Sequence, residues 1–251
     1  MINFFRKIRK RLTEENKFVK YLLYAFGEIA LIVIGILLAL YLDNLNTEKK
    51  LRINEIKVLN ELKSNLNSSI NAFERSILAE KNYLKYNFMI IDNLDNKKVY
   101  NDSLDEAYGT YFWTISSNPV SGAYENLKSK GIDLITNDSL RKNISFIFEN
   151  EFLILKEENE VWANNLQQNI SYPYHINHFI KYFPEESDSD DYQVAKPIDY
   201  EALLVDNKFK SINAEIIANR KWNINSLQNI IEEAKDIMMQ IDKETRNLES
   251  E

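Results

Sequence analysis

An all-α chain, with one membrane-crossing helix followed by an elongated helical bundle, is what this sequence predicts, and three observations carry it. Residues 21–42 form one apolar run broken by a single charge, Glu28. Beyond it, apolar residues recur at seven-residue spacing. Glycine and proline number only five and four, which leaves room for long helices and little for a sheet of many tight turns.

The run has the length of one crossing. Its residues at about 1.5 Å each make a helix of roughly 33 Å, against a hydrocarbon core of about 30 Å. Thirteen Leu, Ile, Val and Phe side chains, at about −0.3 to −0.6 kcal/mol each, outweigh the penalty of about 3 kcal/mol for one central acid. Ala39 is followed by Leu40, Tyr41, Leu42 and Asp43 rather than by the small residues of a cleavage site, so the expectation is an uncleaved anchor. A buried core helix is the soluble alternative, but such helices are rarely this long and apolar on every face.

Charge gives the orientation. Residues 1–20 carry Arg6, Lys7, Arg9, Lys10, Arg11, Lys17 and Lys20, whereas the far flank mixes Asp43 and Glu48 with Lys49, Lys50 and Arg52. The positive-inside rule places the N-terminus in the cytoplasm and residues 43–251 on the other side. That larger part holds 24 basic against 35 acidic side chains, which argues against nucleic acid as a partner. With no cysteine there is neither a disulfide framework nor a thiolate metal site. Ile2, Phe4, Phe5, Ile8 and Leu12, interleaved with basic residues, suit a short helix on the inner membrane surface, or the charges simply orient insertion.

Past the membrane, Leu42, Ile56, Ile70, Ile77, Leu84 and Ile91, together with Leu59, Leu66 and Phe73, form two interleaved heptad series, broken at Lys49, Lys63, Glu80 and Asn87. One helix over about 45–91 follows, ended by the turn formers Asp92, Asn93, Asp95 and Asn96. Ser103 to Glu106 has capping-box form and predicts a short helix through Phe112, although Tyr108 to Ile115 would also suit a strand. Asn118 and Pro119 suit a helix start and Gly131 its stop. Asn137 or Asp138 caps a longer helix carrying Leu140, Ile144, Ile147, Phe148, Phe152, Leu155, Trp162, Leu166 and Ile170, expected to end before Pro173. The run 185–191, all acidic or serine, reads as an exposed loop between Pro184 and Pro197. A last helix spans about 207–248. Three long amphipathic helices, none able to hide its apolar face alone, pack as a bundle.

The stretches FFRKIRKRL and ENKFVKYLLYAFGEIALIVIGILLALYLDN, covering Phe4 to Asn44 with Gly27, Glu28 and Gly35, resemble the N-terminal block of a family of uncharacterised single-span membrane proteins of Gram-negative bacteria, a domain of unknown function. AYENLKSKGIDLITNDSLR, Ala123 to Arg141, is also similar to that family. The resemblance implies an inner-membrane protein with a helical periplasmic domain. No activity, cofactor or catalytic residue comes with it. Where the family reads N-N-W-N-E after the span, this chain has Asp43 to Glu48 without a tryptophan.

Glu28 is the sharpest chemical oddity, a carboxyl desolvated within the bilayer. Tyr21, Tyr24 and Ala25 precede it, and Gly35 and Ala39 follow as a small-x-x-x-small pair. Glu28 either bonds to Tyr24 or a neighbouring helix and holds an oligomer together, or relays a proton or ion beside a partner protein, or snorkels to the interface. His175 and His178 are the only histidines, and their H-x-x-H spacing is a weak zinc or copper signal, set against plain partly exposed histidines. Trp113, Trp162 and Trp222 with Tyr108, Tyr111 and Phe112 would line a ligand pocket or, more simply, fill the core. A nucleophile with its base, a phosphate loop and a dinucleotide fingerprint are missing. The expectation is a membrane-anchored interaction, scaffold or sensing module, not an enzyme and without cofactor. Its partners would be lipid and either a second copy or another membrane protein through the span. The alternative is an ion- or proton-coupled subunit using Glu28.

Overall fold

The computed structural model describes residues 6–7, 18–183 and 193–250. Most of the basic segment, with the surface helix expected on Ile2 to Leu12, and the acidic run 185–191 lie outside the described residues. The chain divides into two compact units, residues 1–54 and 55–251, so the division falls beyond the expected end of the span at Leu42.

In the first unit, helix α1 (Phe18–Asp95) begins. Side chains from Phe26 to Leu51 are all exposed. Among the described residues this is the one helix long and apolar enough to cross a membrane, and nothing in its apolar window is buried.

In the second unit, α1 continues to Asp95, four residues past the expected end. It stops as the turn formers dictate: the amide N–H of Lys98 donates to the Asn93 carbonyl, and Lys97 takes a left-handed backbone, φ 47°. Helix α2 (Asp105–Thr110) follows a short 3₁₀ turn, Asp102–Leu104. The region is therefore helical, not a strand. Its cap is Asn101, whose side chain accepts from the Ser103 N–H, and not Ser103 itself. Helix α3 (Gly122–Lys130) starts later than Asn118 and Pro119 suggested. The reason lies on α1, where Ser69 Oγ and Asn65 Oδ1 accept from the Val120 and Ala123 N–H groups and hold the approach to α3 extended. Gly131 ends α3 with φ +104°, a conformation that favours glycine.

Residues 138–178 form one helical rod in which α and π turns alternate: α4 (Asp138–Phe146), α5 (Phe152–Glu157), α6 (Asn164–Leu166) and α7 (Tyr172–His178), joined by π turns at Ile147–Glu151, Glu158–Ala163 and Gln167–Ser171. Asn137 caps it through the Leu140 N–H. The rod passes Pro173 instead of stopping before it. The π turn just ahead has already left the i→i−4 ladder, and Pro173 falls in the first turn of α7, where a proline is tolerated. A two-stranded antiparallel hairpin, β1 (Phe179–Tyr182) and β2 (Val194–Pro197), pairs Phe179 with Pro197 and Tyr182 with Val194. The sequence had suggested only a loop before Pro197; four-residue strands carry too little alternation to be read locally. Helices α8 (Tyr200–Leu204) and α9 (Asn207–Ser250) complete the chain. Asp206 Oδ1 accepts the Lys208 and Phe209 N–H groups at the start of α9.

Two apolar clusters form the core. One joins Leu59, Leu66 and Phe73 of α1 to Leu127, Phe152 and Ile237. The other joins Ile90 of α1 to Tyr108, Tyr111, Phe179 and Phe209. The outer heptad stripe of α1 is thus packed within its own chain.

Candidate functional site

Where the two clusters meet in sequence along α1 and α9, a layer of buried polar side chains lies between or beside their residues. α1 supplies Glu80 and Asn87, one heptad apart; α9 supplies Asn213, Arg220 and Asn223; all five are buried. Glu80 and Asn87 are two of the four positions that break the heptad series, and at these two α1 turns a polar group inward.

Arg220 organises the layer. Its Nη1 donates to Glu80 Oε2 at 2.5 Å and its Nε to Asn87 Oδ1 at 3.0 Å. Nη2 reaches the backbone carbonyls of Trp113 at 2.5 Å and Tyr111 at 3.2 Å. These carbonyls close α2, where the helical ladder leaves acceptors unpaired, and buried acceptors need a protein donor. Asn87 Nδ2 donates to the same Tyr111 carbonyl and to Asn213 Oδ1, both at 3.1 Å. Asn223 Nδ2 donates to Glu80 Oε1 at 3.0 Å. The guanidinium also lies 5.1 Å from the centroid of the Tyr83 ring. Burial lowers the Arg220 pKa, and the Glu80 charge opposes that effect. Beside the pair is a cavity of about 20 Å³ lined in part by Trp113, Thr114, Gln167 and Asn219, enough for one water. Both Glu80 oxygens accept hydrogen bonds, so the layer holds α1, α9 and the end of α2 in register; it offers no activated nucleophile.

A second polar centre ties down the hairpin. The hydroxyls of Tyr100 and Tyr182 donate to the buried Asp105 carboxylate, and Lys196 Nζ lies 3.6 Å from it. Burial first, then the Asp105 hydrogen bond, pushes the Tyr100 phenol far above its ordinary range. Beside it, the chain crosses α2 so closely that a Cβ on Gly109 would lie 2.3 Å from the Gln193 carbonyl oxygen.

The two histidines separate. His175 is buried against Phe112, Tyr111 and Phe179, and neither ring nitrogen has a hydrogen-bond partner. Burial, with the Lys181 charge, pulls its pKa down to about 4. His178 is exposed, stacks on Tyr174 at 3.9 Å and contacts the Tyr174 carbonyl through Nδ1. Among the described residues no three His, Cys, Asp or Glu side chains converge as a metal site would require.

Of the six aromatic residues suggested for a pocket, Tyr108, Tyr111 and Phe112 are core, Trp113 borders the small cavity, and Trp162 and Trp222 are exposed. They do not line one site. On the first unit, Tyr24 and Glu28 share one groove with Leu23, Gly27, Leu31 and Ile32. Gly35 and Ala39 lie further along α1, exposed.

Sequence reasoning treated Glu80 and Asn87 only as defects and missed Arg220. A signal was present: Asn213, Arg220, Leu227, Ala234 and Ile241 form a heptad series on α9, with a cation at a seam position facing an acid at a seam position of α1. No family model, curated protein or solved structure matches the chain.

Proposed function

We propose that the protein is a membrane-anchored interaction module. Residues 21–42 cross the inner membrane with the basic N-terminus in the cytoplasm, and the following part is a periplasmic helical domain that scaffolds or senses without catalysis. The observation that carries this reading is the apolar window of α1, none of which is buried. Large apolar side chains left in water cost about 1.5–3 kcal/mol each, so thirteen of them need a lipid or protein environment. The second unit is compatible with the same reading, since the charged groups of its conspicuous polar centres, Glu80–Arg220 and Asp105, are paired within the domain. The resemblance of Phe4 to Asn44 to a single-span family points the same way.

The test is membrane fractionation followed by protease treatment from each face. The chain is expected in the carbonate-resistant membrane fraction, with residues 43–251 cut only after the outer membrane is opened. Cleavage from the cytosolic face alone, or recovery in the soluble fraction, contradicts the proposal. A competing role in ion or proton coupling draws on Glu28 beside Tyr24 in one groove. Glu28→Gln separates the two: loss of an ion-dependent phenotype at unchanged membrane level and assembly favours coupling, and loss of assembly favours the structural role.

A further inference from the structure

The rod 138–178 carries a ridge of apolar side chains on its outer face. Phe146, Ile154, Trp162 and Ile170 are 49, 47, 55 and 46 % exposed and follow each other every eight residues. In a regular α-helix eight residues overshoot two turns by about 80°, so such a series would wind round to the buried side. Here each interval carries one π turn, and a π turn takes in an extra residue. The three insertions absorb the overshoot and keep the four side chains in line. Leu153 and Val161, also half-exposed, widen the ridge. Around Trp162 it continues as a groove that includes Asn165 and Asn169.

We propose that this ridge pairs with the same ridge of a second copy, the two rods running parallel. The proposal rests on the membrane-anchored reading, because copies held in one bilayer meet at a raised effective concentration. Three features favour a second copy over another occupant. Six large side chains about half exposed offer on the order of 500 Å² of apolar surface, near the apolar share of a standard interface of about 800 Å² per partner. In a parallel two-fold pair each residue faces its own copy, so any charge would meet a like charge. Residues 161–176 contain no Asp, Glu, Lys or Arg in a chain that is 27 % charged, whereas 147–160 hold six, so the pairing centres on the Trp162 to Ile170 end of the ridge. The ridge also extends about 36 Å from Phe146 to Ile170, a seam for a helix rather than a small molecule. Anchoring in one bilayer raises the effective concentration of one copy for another, so an interface of modest affinity suffices.

The full chain has no cysteine, which makes single-cysteine crosslinking in native membranes direct. Ile154→Cys and Trp162→Cys are expected to give a dimer with a short bis-maleimide, while Leu78→Cys, exposed on α1, does not. Adding Trp162→Asp and Ile170→Asp to the Ile154→Cys chain is expected to lower the yield by about tenfold or more, with helix content unchanged because both residues are exposed. Equal crosslinking at Leu78, no crosslinking on the ridge while Ala39→Cys in the span still yields a dimer, or conjugation to a different protein each overturns the pairing. If the chain proves not to be membrane-bound, the anchor fails separately. Sedimentation of the soluble chain then decides the ridge, a monomer at micromolar concentration overturning it and a dimer abolished by Trp162→Asp supporting it.

Discussion

Acidification should weaken the domain, and a distinct share of that loss passes through His175. Its ring is packed against Phe112, Phe179 and Tyr111 with neither nitrogen hydrogen-bonded, and its pKa falls from 6.5 to about 4. The unfolded chain therefore takes up a proton near pH 6.5, and the folded chain does not until about pH 4. Stability is full above that range, declines as pH falls from about 6.5 to about 4, and levels off below. At about 1.36 kcal/mol per pH unit, the gap amounts to about 3 kcal/mol, a large part of the stability of an ordinary domain.

The perturbation is His175→Phe, which keeps an aromatic ring in the cage and removes the titration. At neutral pH the variant should already be more stable by about 1 kcal/mol, since two buried polar atoms without partners are gone. On acidification the difference should widen by about 3 kcal/mol. The assay is chemical denaturation of both chains in nanodiscs at a series of pH values, followed by tryptophan fluorescence. Every other titrating group is common to the two chains and cancels in the difference. A difference that stays constant from pH 7 to pH 4 would refute the argument, because it would mean that His175 is not held neutral by its surroundings.

Three further outcomes follow from the same contacts. Arg220→Met should destabilise by about 3–5 kcal/mol by leaving Glu80 buried without its cation, whereas the pair Glu80→Leu with Arg220→Met should cost less than either single change; a double-mutant cycle measures the coupling, and simple additivity would contradict the buried pair. Gly109→Ala forces a Cβ to within 2.3 Å of the Gln193 oxygen, so a loss of about 1–3 kcal/mol is expected, visible as a lower melting temperature with faster amide exchange at Val194 and Ala195. Lys97→Gly should raise stability by about 0.5–1 kcal/mol, because it relieves a left-handed backbone at the end of α1; an unchanged or lower melting temperature would count against it.

How far the sequence could be read depends on the range over which each feature is decided. The end of α1, the start of the rod and the end of α3 were legible, because Asp92 to Asn96, Asn137 and Gly131 act on their immediate neighbours; the end of the rod, expected before Pro173, was not. The start of α3 was not, because Ser69 and Asn65 on a distant helix hold the amides before it. The candidate site was half visible: Glu80 and Asn87 stood out as irregularities on α1, but their meaning depended on Arg220, far along the chain, facing them. Glu28 and Tyr24 were legible as neighbours on one helix face. The joint pocket suggested for Trp113, Trp162 and Trp222 was not realised, since composition says nothing of which way an aromatic residue faces.

By itself the sequence determined what local periodicity and charge can determine: a helical chain, an apolar N-terminal stretch of bilayer length, and long amphipathic helices with a shared apolar stripe. Only the tertiary structure decided that three π turns bend the rod's phase past Pro173, that a hairpin closes over Gly109, and that an acid and an arginine are buried together. The last two depend on contacts between residues distant in the chain, where packing and the pairing of buried polar groups outweigh local preference.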